Sequence, residues 1–225
     1  MIKRQYALSF ATVFYLLVSQ PSGAYASEKL VQPTATVDMK TLMAAESEKD
    51  MTEGDKNAPV TIVEYASVTC PHCADFFLHT LPLLREKYIK TGKVRLIFRE
   101  FAFDPRATAG FMLARCLPED RYFPMIEVLF QKQMEWAAVP DALTPLKSIA
   151  AMAGLDDKAF TSCLSNQALL EKVNASFQKG KDLGIKGVPG FFINGNRYDG
   201  ELSIDDLSAI IDKLLSNESQ KALVE

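Results

Sequence analysis

The apolar residues follow two different periods on either side of residue 70. Residues 60–66 form a β-branched and apolar run, which predicts a short strand. Four apolar residues then recur at helical spacing: Phe76, Phe77, Leu81 and Leu84. Between the two patterns lie Cys-Pro-His-Cys at positions 70–73. The pattern therefore places two cysteines where a strand passes into a helix.

The rest of the chain alternates between the same two patterns. Residues 93–101 predict a second buried strand, parallel to the first through a helix that Pro82 is expected to kink. No convincing strand is predicted in residues 106–183. Helical patterns cover 107–117, 122–136, 144–153, 157–164 and 167–183. A hairpin is predicted from strand patterns at 191–193 and 197–198 around Asn194-Gly195-Asn196, followed by an amphipathic helix over 202–215 with Ser203 as N-cap.

The N-terminus has the pattern of a secretory signal peptide. Lys3 and Arg4 precede an apolar run over residues 7–18, and Ala24-Tyr25-Ala26 predicts cleavage before Ser27. A membrane anchor is the alternative, but the apolar run is short for a bilayer. We therefore expect residues 1–26 to be removed on export. A bacterial periplasm is the expected location, where disulfide bonds are stable.

Composition excludes some function classes. With 48% hydrophobic and 24% charged residues, the chain fits one well-filled domain or one domain with a large insertion. The formal charge is −3, and loss of the two cations in residues 1–26 makes it −5. A mildly acidic chain without a basic stripe is not expected to bind nucleic acid.

The two ends of the expected mature chain carry weaker patterns. Residues 27–57 predict a flexible N-terminal extension with a short helix near Met39 and Leu42. An oligomerisation stalk is the alternative, although too few heptad positions support a coiled coil. Residues 217–225 are predicted to be a frayed C-terminal tail.

The Cys-Pro-His-Cys segment has the features of a redox dithiol. The first N–H groups of a helix have no partner within it, so a thiolate at that end is stabilised. Pro71 suits the first helical position, and a protonated His72 would add positive charge beside Cys70. Cys70 is therefore the candidate reactive sulfur, and Cys73 is the candidate resolving sulfur.

Other uses of a Cys-x-x-Cys pair are less well supported. A zinc site needs two more ligands, and the chain offers only Cys116, Cys163 and His79 singly. Covalent haem attachment requires histidine directly after the second cysteine, where Ala74 stands. A purely structural disulfide would close almost no chain. No metal is expected.

The chain resembles the DsbA-type disulfide oxidoreductases of the thioredoxin fold, which carry Cys-Pro-His-Cys. Gly187-Val188-Pro189 resembles the cis-proline loop of that family, and Glu64 matches a buried acidic position. The resemblance implies an α/β fold, thioredoxin-like with an inserted all-helical domain. The thioredoxin-like domain would then span residues 58–104 and 184–216, and the helical insertion would span 105–183.

The resemblance also implies roles for individual residues. The Val188–Pro189 bond would be cis, and the loop would face the dithiol and bind an extended substrate. Glu64 would lie partly buried below Cys73 and exchange a proton with that sulfur. A carboxylate that reaches solvent is the alternative for Glu64.

Cys116 and Cys163 lie on two of the predicted helices. If Cys70 pairs with Cys73, one pairing remains for the other two cysteines, so we expect a structural Cys116–Cys163 disulfide. A second redox pair is the alternative, but neither cysteine belongs to a Cys-x-x-Cys motif.

The sequence thus predicts a thiol:disulfide oxidoreductase that introduces disulfides into exported proteins and needs no cofactor beyond its own dithiol. Its expected partners are unfolded or partly folded exported proteins with free cysteines and, by family resemblance, a membrane reoxidase. A disulfide isomerase or reductase of the same fold is the first alternative. A non-enzymatic module that binds metal or thiols is the second.

Overall fold

A computed structural model describes residues 31–44 and 49–222. The predicted signal peptide, residues 1–26, lies outside this part of the chain. The strands are β1 (Ala35–Thr36), β2 (Met51–Glu53), β3 (Val60–Ala66), β4 (Val94–Glu100), β5 (Gly190–Ile193) and β6 (Asn196–Asp199). The α-helices are α1 (Met39–Leu42), α2 (Pro71–Asp75), α3 (Leu81–Leu84), α4 (Pro105–Arg115), α5 (Tyr122–Gln131), α6 (Gln133–Trp136), α7 (Leu143–Met152), α8 (Asp157–Leu164), α9 (Gln167–Asp182) and α10 (Ile204–Ala222).

The strands form one sheet in the order β1-β6-β5-β3-β4-β2. The strands β3 and β4 are parallel, as predicted, and the other neighbours are antiparallel. Tyr65 near the end of β3 is opposite Gly190 at the start of β5. Because the two strands run in opposite directions, the segment that leaves β3 and the segment that enters β5 meet at one edge of the sheet.

Side chains on β3 alternate between two apolar clusters, one on each face of the sheet. Ile62 and Ala66 pack with Phe76 in the larger cluster, and Val63 and Tyr65 pack with Phe192 in the smaller one. This is the period of two that a strand imposes. Both faces of β3 are therefore covered, and a polar side chain on this strand is removed from water.

The helical segment after Cys70 contains two π-helical stretches. It begins as α2, continues through a π-helical stretch (Phe76–Thr80) into α3, and ends in a second π-helical stretch (Arg85–Ile89). The Leu81 N–H donates to Phe76 O, five residues earlier. Pro82 follows at once and has no N–H to donate. The register change therefore occurs where the sequence predicts a kink.

Helices fill the chain between β4 and β5, and residues 101–189 contain no strand. The predicted helix 122–136 is interrupted at Lys132, so it forms α5 and α6 instead of one helix. The indole of Trp136 is fully buried and donates to Leu129 O at 2.9 Å. This bond holds the two short helices together. The parallel pair β3–β4, the antiparallel pair β5–β6 and the helices between β4 and β5 confirm the α/β thioredoxin-like fold with an inserted helical domain.

The hairpin and its closing helix form as predicted. Asn194 and Gly195 have φ values of 44° and 84°, which suit an Asn-Gly turn between β5 and β6. Ser203 caps α10 reciprocally with Asp206: Asp206 N donates to Ser203 Oγ at 3.1 Å, and Ser203 N donates to Asp206 Oδ2 at 3.0 Å.

Both ends of the described chain differ from the sequence prediction. In the predicted flexible extension, residues 27–57, β1 pairs with β6 and β2 pairs with β4, so they form the two edges of the sheet. These strands have two and three residues, which is too short for a recognisable period. The predicted frayed tail, residues 217–225, is helical through Ala222. None of the helices in the described part of the chain combines the length and apolar character needed to span a bilayer.

A disulfide joins Cys116 at the end of α4 to Cys163 in α8, with Cα atoms 6.1 Å apart. The two cysteines are 47 residues apart in sequence. Closing a loop of this length lowers the entropy of the unfolded chain by an amount worth about 4 kcal/mol.

We expect the double variant Cys116→Ser/Cys163→Ser to lose about 4 kcal/mol of unfolding free energy. Guanidinium unfolding of the wild type and of the double variant should be compared while each protein carries the Cys70–Cys73 disulfide. The variant should retain thiol exchange at Cys70. Loss of exchange in a folded double variant would instead favour a second redox pair.

Candidate active site

Cys70 lies between the sheet and the helix that follows it. Its backbone is extended, with φ −87° and ψ 122°, and it is the N-cap of α2 with Pro71 in the first turn. Cys70 N donates to Ser67 O at 3.0 Å, and Cys70 O accepts from Ala74 N at 3.1 Å. The cysteine is thus fixed on both sides by backbone hydrogen bonds. Cys70 and Cys73 are both free thiols, so the structure shows the reduced form.

The surroundings of Cys70 favour its thiolate. Its pKa is lowered from 9.0 to about 6, and the largest cause is the hydrogen bond from the Cys73 thiol. The backbone N–H groups of Cys73 and His72 also lower this pKa, whereas partial burial opposes them. The charge of His72 contributes less. Its ring is exposed, and its Nδ1 lies 3.2 Å from Glu201 Oε2. The helix end and the partner thiol therefore matter more than the imidazole.

Cys73 has the opposite character. It has no exposed surface, and burial raises the pKa of its thiol far above the ordinary range. Its hydrogen bond to Cys70 and the nearby charges of Cys70 and Glu64 raise this pKa further. Cys73 therefore keeps its proton and donates it in a hydrogen bond to the Cys70 thiolate. The pKa values of the two thiols are thus shifted in opposite directions.

The loop before β5 completes the surroundings of Cys70. The Val188–Pro189 peptide bond is cis. Cys70 Sγ lies 3.4 Å from Val188 O, 118 residues away in sequence. The antiparallel pairing of β3 with β5 brings these residues together. The structure thus places Val188 and Pro189 beside the dithiol.

Glu64 is more buried than expected from the sequence. Its side chain has no exposed surface, and neither carboxyl oxygen has a hydrogen-bond partner among the residues that the structure describes. Burial, followed by the charge of Glu53, raises the pKa of Glu64 to about 8, although the charge of Arg85 lowers it. Arg85 forms a bidentate pair with Glu53 at 2.6 and 2.7 Å. Glu64 is therefore a neutral acid at pH 7, close enough to Cys73 to influence its pKa electrostatically.

The remaining candidate ligands have other partners. Cys116 and Cys163 bond to each other between α4 and α8. His79 Nδ1 lies 2.9 Å from Asp75 Oδ1 on the surface. In residues 31–44 and 49–222, no group of three or more His, Cys, Asp or Glu side chains is arranged to hold a metal ion.

Three residues near the site are absent from the sequence prediction. Gln133 donates to two backbone carbonyls beside Cys70, Asp104 accepts a 2.5 Å hydrogen bond from Thr69 Oγ1, and Glu201 contacts His72. The Asp104-Pro105 pair is a helix N-cap signal, and Asp104 caps α4. Gln133 and Glu201 carry no such local signal. Only the tertiary fold brings them to Cys70.

Comparisons with known proteins agree on one family. A family model described as thioredoxin matches residues 46–213. A Rickettsia felis protein described as a protein-disulfide oxidoreductase is 33% identical over 178 residues. The match covers 78% of this chain and 63% of that protein, so the chain spans less than two thirds of this relative's length.

Two other relatives are covered more fully. A Bacillus anthracis protein described as disulfide bond formation protein D is 30% identical over 171 residues, which is 72% of this chain and 76% of that protein. The crystal structure of Wolbachia pipientis alpha-DsbA1 has a TM-score of 0.74 and 30% identity, and the match covers 81% of this chain and 99% of that one. With the geometry at Cys70, these findings show that the chain belongs to the thioredoxin family and, within it, to the DsbA-type disulfide oxidoreductases.

Proposed function

We propose that this protein introduces disulfide bonds into exported proteins by dithiol-disulfide exchange through Cys70 and Cys73. One observation carries the proposal: Cys70 is the N-cap of α2, where its pKa is lowered to about 6, and it lies beside a fully buried Cys73 whose pKa is raised. The first sulfur is a good leaving group near neutral pH, whereas the second is shielded from substrates.

The reaction begins with the Cys70–Cys73 disulfide. A substrate thiolate attacks the Cys70 sulfur, the Cys70–Cys73 bond breaks, and the Cys73 sulfur leaves with the electron pair and takes up a proton. A second thiolate of the same substrate then attacks the substrate sulfur of the mixed disulfide. Cys70 leaves as a thiolate, so the substrate has lost two electrons and the enzyme holds them as a dithiol.

The stabilised thiolate sets the direction of exchange. Each pKa unit by which Cys70 is lowered favours its thiolate by about 1.4 kcal/mol. The reduced enzyme is therefore the lower-energy product, and electrons pass from substrate to enzyme. A membrane reoxidase would then remove these electrons and restore the disulfide.

Two neighbouring groups would assist the exchange. Glu64, buried and electrostatically coupled to Cys73, is suited to supply the proton that Cys73 takes up and to accept it again on reoxidation. The backbone of Val188, next to the cis bond and 3.4 Å from Cys70 Sγ, is suited to pair with an extended substrate. The substrates would be unfolded or partly folded proteins in the periplasm, to which residues 1–26 would direct this protein as a signal peptide.

The equilibrium of the Cys70–Cys73 pair with glutathione tests the proposed direction. We expect the pair to be more oxidising than glutathione, and the oxidised protein to form a disulfide in a reduced dithiol peptide. The Cys70→Ser variant should abolish this reaction, whereas Cys116→Ser/Cys163→Ser should retain it.

Other outcomes would replace the proposal. A pair more reducing than glutathione, with efficient refolding of a scrambled disulfide protein and an oligomer by sizing, would indicate an isomerase or reductase. Stoichiometric metal in the purified protein without any turnover would indicate a binding module.

A further inference from the structure

Gln133 connects the inserted helices to the active-site loop. It is the first residue of α6, and its side chain is buried, with only 6% of the residue exposed. Its Nε2 donates to Val68 O at 2.9 Å and to Cys70 O at 3.0 Å. Both hydrogens of one amide group are therefore used on the two carbonyls that flank Thr69.

The Cys70 carbonyl is also part of the helix that follows. It accepts from Ala74 N at 3.1 Å, which is the first hydrogen bond of α2. The backbone N–H groups of His72 and Cys73, in that same turn, contribute to lowering the Cys70 pKa. A side chain that holds the Cys70 carbonyl therefore holds the start of the helical turn that carries these two N–H groups.

The rest of the loop is held by different contacts. Cys70 N donates to Ser67 O, and Thr69 Oγ1 donates to Asp104 Oδ2. These bonds restrain the loop on the side of the sheet and α4. Gln133 restrains the carbonyls of Val68 and Cys70 from the side of α6, so each part of the loop has its own anchor.

We propose that Gln133 is a positioning residue for the Cys70 thiolate, acting from the inserted domain through the first turn of α2. Its two hydrogen bonds in the loop are to backbone carbonyls and not to the sulfur. By holding the Cys70 carbonyl it keeps the His72 and Cys73 N–H groups directed at Cys70 Sγ. The inference rests on the proposed use of Cys70 as the reactive thiolate, and it gives the inserted domain a direct part in thiol acidity.

The test is the replacement Gln133→Met, which keeps the length of the side chain and removes both donors. We expect the Cys70 thiolate, followed by ultraviolet absorbance in the reduced protein, to form about 3- to 10-fold less readily, which corresponds to a pKa about 0.5 to 1 unit higher. Alkylation of Cys70 by iodoacetamide as a function of pH should shift by the same amount. The control is Gln131→Met, because Gln131 is exposed and bonds Glu127.

A purely structural role would give a different result. If Gln133→Met only lowers the melting temperature and the Cys70 titration coincides with that of Gln131→Met, the proposal is wrong. If Gln133→Met does not fold, Gln133→Leu serves instead, since its side chain is apolar and has no donor. Coincident titrations for that variant would equally overturn the proposal.

The titration and alkylation involve no disulfide transfer, so they do not depend on the direction of exchange. A pair that proves reducing against glutathione would contradict the proposed oxidase, yet the effect of Gln133 on thiolate formation would still be measurable. Conversely, an oxidising pair with an unshifted Gln133→Met titration would contradict only the role of Gln133.

Discussion

The reduced protein is expected to resist guanidinium unfolding better than the oxidised protein at pH 8, and this difference should shrink as the pH falls to 6. The Cys70 pKa drops from 9.0 to about 6 on folding. Stability from the folded-state thiolate is therefore complete above pH 9 and is lost as the pH falls through about 6. The oxidised protein has no thiolate at Cys70 and lacks this contribution.

The size of this effect follows from linkage. A shift from 9.0 to about 6 contributes at most about 3 kcal/mol at pH 8 and about 1.4 kcal/mol at pH 7, and solvent near the sulfur reduces both values. Unfolding midpoints of the two forms at pH 5.5, 7 and 8 measure it. The Cys70→Ser variant has no thiol at position 70, so its unfolding midpoint should lack the rise with pH that is expected for the reduced wild-type protein. A constant gap between the reduced and oxidised midpoints across this range would contradict a stabilised thiolate.

Glu64→Gln is expected to stabilise the protein by about 3 kcal/mol at pH 7 and to have little effect at pH 4. Folding raises the Glu64 pKa from 4.5 to about 8. The unfolded carboxyl therefore loses its proton above pH 4.5 while the folded one retains it, so this group destabilises the folded state increasingly up to pH 8. A glutamine resembles the protonated acid and has no such penalty.

Urea unfolding of both proteins between pH 4 and pH 8 measures this prediction. Glu171→Gln is a matched control because Glu171 is exposed and bonds Gln167 on the surface. Glu64→Gln also tests the proposed proton transfer. In this variant, thiol-disulfide exchange that requires Cys73 to gain or lose a proton should be slower. Unchanged exchange rates at every pH would exclude the relay, whereas equal stabilities across pH would show that Glu64 is not a buried neutral acid.

Much of the site could be predicted because its chemistry is local in sequence. The change from strand to helical period at Cys70 fixes the sulfur at a helix N-terminus, and Pro71 marks the first turn. The Asn194-Gly195 turn is equally local. In each case, the backbone preferences of a few adjacent residues are sufficient.

The ranking of the causes that make Cys70 acidic could not be predicted. The sequence indicates a helix end and His72, but the largest contribution comes from the Cys73 thiol, and the imidazole lies exposed beside Glu201. The energy of a hydrogen bond changes with tenths of an ångström in the donor–acceptor distance, and it also depends on the angle at the hydrogen. Sequence spacing does not contain that information.

The sequence by itself determined that the two cysteines of the Cys-Pro-His-Cys segment stand where a strand passes into a helix, and which cysteines are available for a second disulfide, because these depend on local periodicity and on residue type. Only the tertiary structure decided that β1 and β2 form the edges of the sheet, that Glu64 is fully buried, and that Gln133 reaches the Cys70 carbonyl. The physical reason is that edge pairing, burial and long-range hydrogen bonds depend on which distant segments pack together. A strand of two or three residues, or a single polar side chain, gives no periodic pattern along the sequence.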